Sequence, residues 1–222
     1  MPPFHLIDPT RLAVELAYTL IVVFLCFTIY YKTREIYDLT KHEGINYFRV
    51  TFLFFGFAYI SRFIFILLKL IIITFDIGFP RHMFGNFPLV FIGYFSTMAI
   101  LSLTYSILWK KLHIKHIFLI FNVIALLIST IAFISRSPFI LILAQAVLLI
   151  FTSIIIVYYI MSKSGKISRL YILYILFFLF WMVNLIALGP RRFIPFEVQT
   201  VFQIISVAVI GIIYHRVAKW TR

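Results

Sequence analysis

FRVTFLFFGFAYISRFIFILLKLIIITF, residues 48–75, reads as one unbroken apolar helix with an arginine and a lysine inside it. A bilayer core asks for ~20 apolar residues of helix, and this run of about 28 exceeds that. Comparable runs lie at 12–31, 87–109, 116–134, 138–161, 170–188 and 198–214, separated by short and mostly basic connections. The expected fold is all-α: a polytopic seven-helix transmembrane bundle forming one domain over residues 1–222. Composition agrees, because charged residues are 12% of the chain, about half the share of a soluble domain.

The net charge of +13 raises nucleic acid as a partner, but the placement of the charges argues against it. Lys32, Arg34, Lys41, Arg49, Lys110, Lys111, Lys115, Lys163, Lys166, Arg169, Arg216, Lys219 and Arg222 gather on one side of the spans. The other side collects Arg11, Arg81, Arg136, Arg191 and Arg192. Basic residues flanking spans mark the cytoplasmic side. The expectation is a multi-pass protein of the cell membrane with its N-terminus outside and its C-terminus in the cytoplasm. The charge then serves topology and contact with a bilayer of anionic headgroups.

Cys26 is the single cysteine, so no disulfide forms within one chain and no thiolate metal site exists. The start, MPPFHLIDPTR, lacks the basic region of a signal peptide. His5, His82, His42, His113, His116 and His215 are terminal or interfacial, which speaks against haem held within the bilayer. No serine or cysteine has a histidine partner at membrane depth, and Asp8, Asp38 and Asp76 lie at span ends. No enzyme chemistry, cofactor or metal is expected.

The first span continues beyond the membrane through 32–42, where mixed charges and good helix formers persist. Gly44 is expected to supply the left-handed stop and Asn46 the cap of the next helix. The first two spans then form a long antiparallel hairpin projecting into the cytoplasm. All eight prolines fall on the outer side and none in mid-span, so continuous helices are expected, unlike the broken helices of many secondary transporters.

Arg62 is the sharpest signal. It sits near the middle of its span, where an arginine costs roughly 3 kcal/mol and must face the bundle interior. Tyr59 is one turn before it, and Lys69 follows on the same face. Glu15 in the first span falls at the depth of Lys69 and is expected to pair with it. Gln145, Asn184, Tyr94 and the stripe Gln199, Gln203 and Ser206 add polar groups, nearly all in the outer half. Asn122, deeper in its span, is expected to bond a neighbouring helix. Two readings fit the outer groups: interhelical hydrogen bonds of ~0.6–2 kcal/mol each, or an outward-opening pocket.

The stretch YDLTKHEGINYFRVTFLFFGFAYISRF, residues 37–63, resembles a segment of small uncharacterised archaeal membrane proteins. It is also loosely similar to seven-helix sensor modules that precede histidine kinases, with their basic cytoplasmic turn and aromatic second span. The kinase output domain is missing here. The stretch PFEVQTVFQIISVAVIGIIYHR, residues 195–216, resembles the last helix of microbial rhodopsins, but no lysine lies between Leu170 and Val217, which excludes a retinal Schiff base. The leading functional expectation is a receptor-like or sensory protein with an outward-facing polar pocket, acting through a separate cytoplasmic partner. The alternatives are a transporter of a small polar or anionic solute and a structural or assembly subunit of a membrane complex.

Overall fold

A computed structural model of the chain describes residues 9–75, 81–111, 115–162, 169–187 and 195–220. They form seven helices: α1 (Pro9–Thr40), α2 (Glu43–Thr74), α3 (Arg81–Leu108), α4 (Ile117–Ile134), α5 (Pro138–Ser162), α6 (Arg169–Ala187) and α7 (Phe196–Ala218). All but α6 are long and apolar enough to cross a membrane, and α6 contributes the shorter apolar stretch Tyr171–Leu185. Helices are what such sequences must form in lipid, because each backbone N–H and C=O has to be satisfied within its own segment.

Six helices close a ring in the order α1, α2, α3, α5, α6, α7, with α7 returning to α1. Helix α4 stands outside it, packed on α3 and α5. Its buried face is mostly small, with Ala125, Ser129 and Ala132 beside Ile117 and Phe121. Gly93 of α3 meets this face. A Cβ there would lie 3.1 Å from Leu141 and 3.5 Å from Ser129. Small residues let helix backbones approach where lipid offers no hydrophobic force to drive them together.

Helices α2 and α6 run parallel and face each other across the ring. Phe48 meets Tyr174 at 5.5 Å between ring centroids, Phe52 meets Phe177 at 4.9 Å, and Phe55 meets Trp181 at 4.7 Å. Edge-to-face contacts such as these add ~0.5–1.5 kcal/mol each beyond simple packing. They fill the half of the bundle nearer the α1–α2 turn.

That turn differs from expectation. The left-handed residue is Lys41, with φ 50°, not Gly44, and the N-cap of α2 is His42, not Asn46. The Lys41 amide bonds the Tyr37 carbonyl at 2.7 Å, as a left-handed helix end requires. Gly44 lies inside α2, where a Cβ would come within 2.7 Å of Trp109 Nε1 and 2.9 Å of His42. Its lack of a side chain serves close approach, not backbone conformation. The long antiparallel hairpin itself is present: α1 packs along α2 and has 32 residues, about 48 Å, longer than a hydrocarbon core of about 30 Å. The prolines stay out of mid-span, but one lies inside a helix. Helix α3 begins at Arg81, so Pro88 lies inside it and removes one i→i−4 bond. The apolar window opens only near 87, which hid the polar first turns.

Candidate functional site

Beyond the aromatic rungs the same two helix faces turn polar. Tyr59 follows Phe55 by one turn on α2, and Asn184 follows Trp181 on α6. Tyr18 of α1 and Ser206 of α7 close on them from the other side. The Tyr18 hydroxyl donates to Asn184 Oδ1 at 2.6 Å and lies 2.9 Å from the Tyr59 hydroxyl and 3.0 Å from Ser206 Oγ. The Tyr59 hydroxyl also donates to Asn184 Oδ1. Asn184 Nδ2 spends one proton on the Phe180 carbonyl at 2.7 Å and the other on Ser206 Oγ at 2.9 Å. Four helices are thereby joined at one buried knot.

The knot uses up its donors. The three hydroxyls hold one proton each: those of Tyr18 and Tyr59 go to Asn184 Oδ1, which leaves the Ser206 proton for Tyr18, and both amide protons of Asn184 are engaged. Beside it lies a cavity of about 60 Å³ lined by Phe55, Ala58, Tyr59, Arg62, Ile92, Ser96, Leu141, Ile142, Gln145, Trp181 and Asn184. That is room for a few waters or one compact ion. Gln145 donates to Ser96 Oγ, which in turn donates to the Gly93 carbonyl at 3.2 Å. Arg62 is partly buried, with its guanidinium 6.0 Å from the Tyr59 ring centre. Among the described residues it has no carboxylate and no hydrogen-bond partner. The cavity is therefore a mostly apolar chamber with one cation, Arg62, and two amides, Gln145 and Asn184, among the described residues of its wall.

The residues singled out in the sequence divide into groups. Tyr59, Arg62, Gln145 and Asn184 share the cavity. Glu15, Gln199 and Gln203 are buried at the start of α1 and α7. There Arg11, one turn before Glu15, lies 3.7 Å from its carboxylate and donates to Gln199 Oε1 at 2.8 Å. The expected partner Lys69 has a side chain outside the described residues, so the Glu15–Lys69 pair is not observed. Gln203 Oε1 is buried without a hydrogen-bond partner among the described residues. Tyr94 lies outside both groups: its hydroxyl donates to Asn122 of α4, outside the ring, which fits the interhelical reading. That bond is the interhelical role expected of Asn122.

Sequence reasoning missed Arg11, which was counted only as a flanking charge, although its i, i+4 spacing to Glu15 was visible. Tyr18 shares a helix face with Glu15, one turn away. Its four-helix knot needed the ring order, which no local spacing carries. The apolar cavity walls Ile92, Leu141 and Ile142 had no signal at all.

No protein-family model matches the chain, and no solved structure matches it. An uncharacterised protein of Archaeoglobus fulgidus is 34% identical over 223 residues, covering 99% of this chain and 95% of its own length. A likeness at that level from end to end carries the whole helix set with it, so the chain belongs to the family of this uncharacterised archaeal protein.

Proposed function

We propose that the protein is a receptor-like integral membrane protein that holds a small anion on Arg62 and reports its presence to a separate cytoplasmic partner through the basic loops. The observation that supports this most is the donor count. The polar knot is self-satisfied, while Arg62, whose guanidinium carries five N–H groups, lines the cavity and has no protein acceptor among the described residues. A cation held in a low-dielectric chamber attracts an anion far more strongly than it would in water. The aromatic rungs beneath the cavity favour holding a solute over passing it. With the N-terminus outside, as the basic asymmetry predicts, the chamber belongs to the outer half, and a reporter fused at Arg222 would lie in the cytoplasm.

Transport of a small polar or anionic solute is the second reading. Pro88 favours it, since this helix-weakening residue sits one turn before Ile92 on the cavity wall. Thermal melts of the detergent-purified protein, with acetate, nitrate or phosphate added, test the anion site. The expected result is a rise in melting temperature for the parent, equivalent to ~2.7 kcal/mol at a hundredfold excess over Kd, and none for Arg62→Met. The Arg62→Met variant alone should melt close to the parent. A variant that melts far lower, with no anion stabilising the parent, would mark Arg62 as structural and end this reading. Flux of the stabilising anion into proteoliposomes would select the transporter.

A further inference from the structure

A second cavity lies far from Arg62, at the opposite end of the bundle. It has a volume of about 260 Å³ and is lined by Leu173 of α6 and by Arg216, Lys219 and Trp220 at the end of α7. Leu173 is buried and forms an apolar floor, whereas Arg216 and Lys219 are exposed. Among the described residues neither cation makes an ion pair or a side-chain hydrogen bond. Trp220 packs its ring against the core.

Depth decides what such a pocket meets. Arg216 is twenty residues beyond Phe196, the first residue of α7, hence about 30 Å along the helix, the thickness of a hydrocarbon core. The pocket therefore sits at the level of lipid headgroups, where a tryptophan also prefers to lie. Ile212, one turn before Arg216 on α7, and Ile175, two residues after Leu173 on α6, are exposed and offer apolar surface to a hydrocarbon chain. The end of α7 carries the negative pole of the helix, so an anion must be held by the two side chains and not by backbone.

We propose that this pocket is a binding site for the phosphate headgroup of an anionic membrane lipid, with Arg216 and Lys219 on the phosphate, Trp220 flanking it and the chains lying along α6 and α7. The site is independent of the Arg62 cavity and stands or falls separately from it. Lipid rather than free phosphate is the occupant because the pocket combines paired cations with an apolar floor at headgroup depth.

Native mass spectrometry of the delipidated protein, titrated with phosphatidylglycerol or phosphatidylcholine, tests it. The expected result is one tightly retained phosphatidylglycerol. Arg216→Gln combined with Lys219→Gln should weaken its binding about thirty-fold, while Arg216→Lys alone should retain most of it. Lys110→Gln with Lys115→Gln removes the same charge elsewhere on that face and should leave binding unchanged. An equal loss in that control pair would overturn the site in favour of diffuse surface charge. Equal retention of phosphatidylcholine, or displacement of the lipid by millimolar inorganic phosphate, would overturn the anionic-lipid assignment. Circular dichroism of each variant separates lost binding from lost fold.

Discussion

The facing surfaces of α2 and α6 hold two regions built on one periodicity. In one half every rung is an aromatic pair, from Phe48–Tyr174 to Phe55–Trp181. One turn further on, the rungs become Tyr59 and Asn184, then Arg62 beside a cavity. The backbone geometry does not change between them; only the residue type does. The dry half gains its cohesion from many dispersion contacts, each small and none dispensable without leaving a void. The polar half relies on a few directed bonds and leaves space. Close packing is where a bundle places its stability, and vacant volume with an unmatched charge is where it can accept something else.

Truncation should separate the halves. Phe177→Ala removes a fully buried ring that touches Phe52, Phe55, Phe180 and Trp181. It should cost ~3 kcal/mol, the low end for a phenylalanine because lipid solvates the exposed ring better than water does. Asn184→Ala should cost less, ~1–2 kcal/mol, since only hydrogen bonds are lost. Unfolding titrations of both variants rank them. The reverse order would make the polar knot, not the aromatic wall, the stabilising centre.

A finer test lies within the knot. Tyr18→Phe and Tyr59→Phe should each cost ~0.6 kcal/mol. Because the two hydroxyls share Asn184 Oδ1 and each other, the double variant should lose less than the sum of the single losses. Additive losses in the same titration would show that the hydroxyls act separately.

The smallest expected effect lies past the aromatic half, at the turn. His42 packs edge-on to Trp109 with ring centres 4.7 Å apart. Its burial, and then the charge of Lys110, hold its pKa below the ordinary 6.5, outweighing the opposing pull of Glu43. The unfolded chain therefore takes up the proton more readily than the folded one. Stability from this contact is complete above pH 6.5 and is lost as the pH falls from there through the lower folded value. Melts between pH 7.5 and 5 should show an acid-sensitive component that His42→Gln lacks. An identical pH dependence in both proteins would remove His42 as its source.

Much of this contrast was legible beforehand. Seven helices followed from apolar run length alone, and burial of Glu15, Gln145, Asn184, Gln199 and Gln203 followed from depth and face. Periodicity tells which residues share a face, but not which helix that face meets. That Tyr94 bonds α4 and does not line the chamber has no local signal, because nothing in the sequence reveals that α4 stands outside the ring. Gly44 misled for another reason. Glycine signals either a left-handed backbone or a close contact, and here Lys41 adopts the first while Trp109 demands the second. Hydropathy located the spans but missed the polar first turns of α3 and so placed Pro88 at a boundary.

Helix α2 has 32 residues without a break from Glu43 to Thr74, and Arg62 lies on it about 28 Å from the turn. A continuous α-helix of that length behaves as a stiff rod. Tilting it by about 5° about the Arg62 level carries its far end through about 2.5 Å, by the rise of 1.5 Å per residue. Helix α1, joined to it through the two-residue link of Lys41 and His42, must swing with it. The hairpin thus has the proportions of a mechanical lever: its short arm runs from the level of Arg62 to Thr74, and its long arm runs back past the aromatic rungs to the turn at Lys41 and His42.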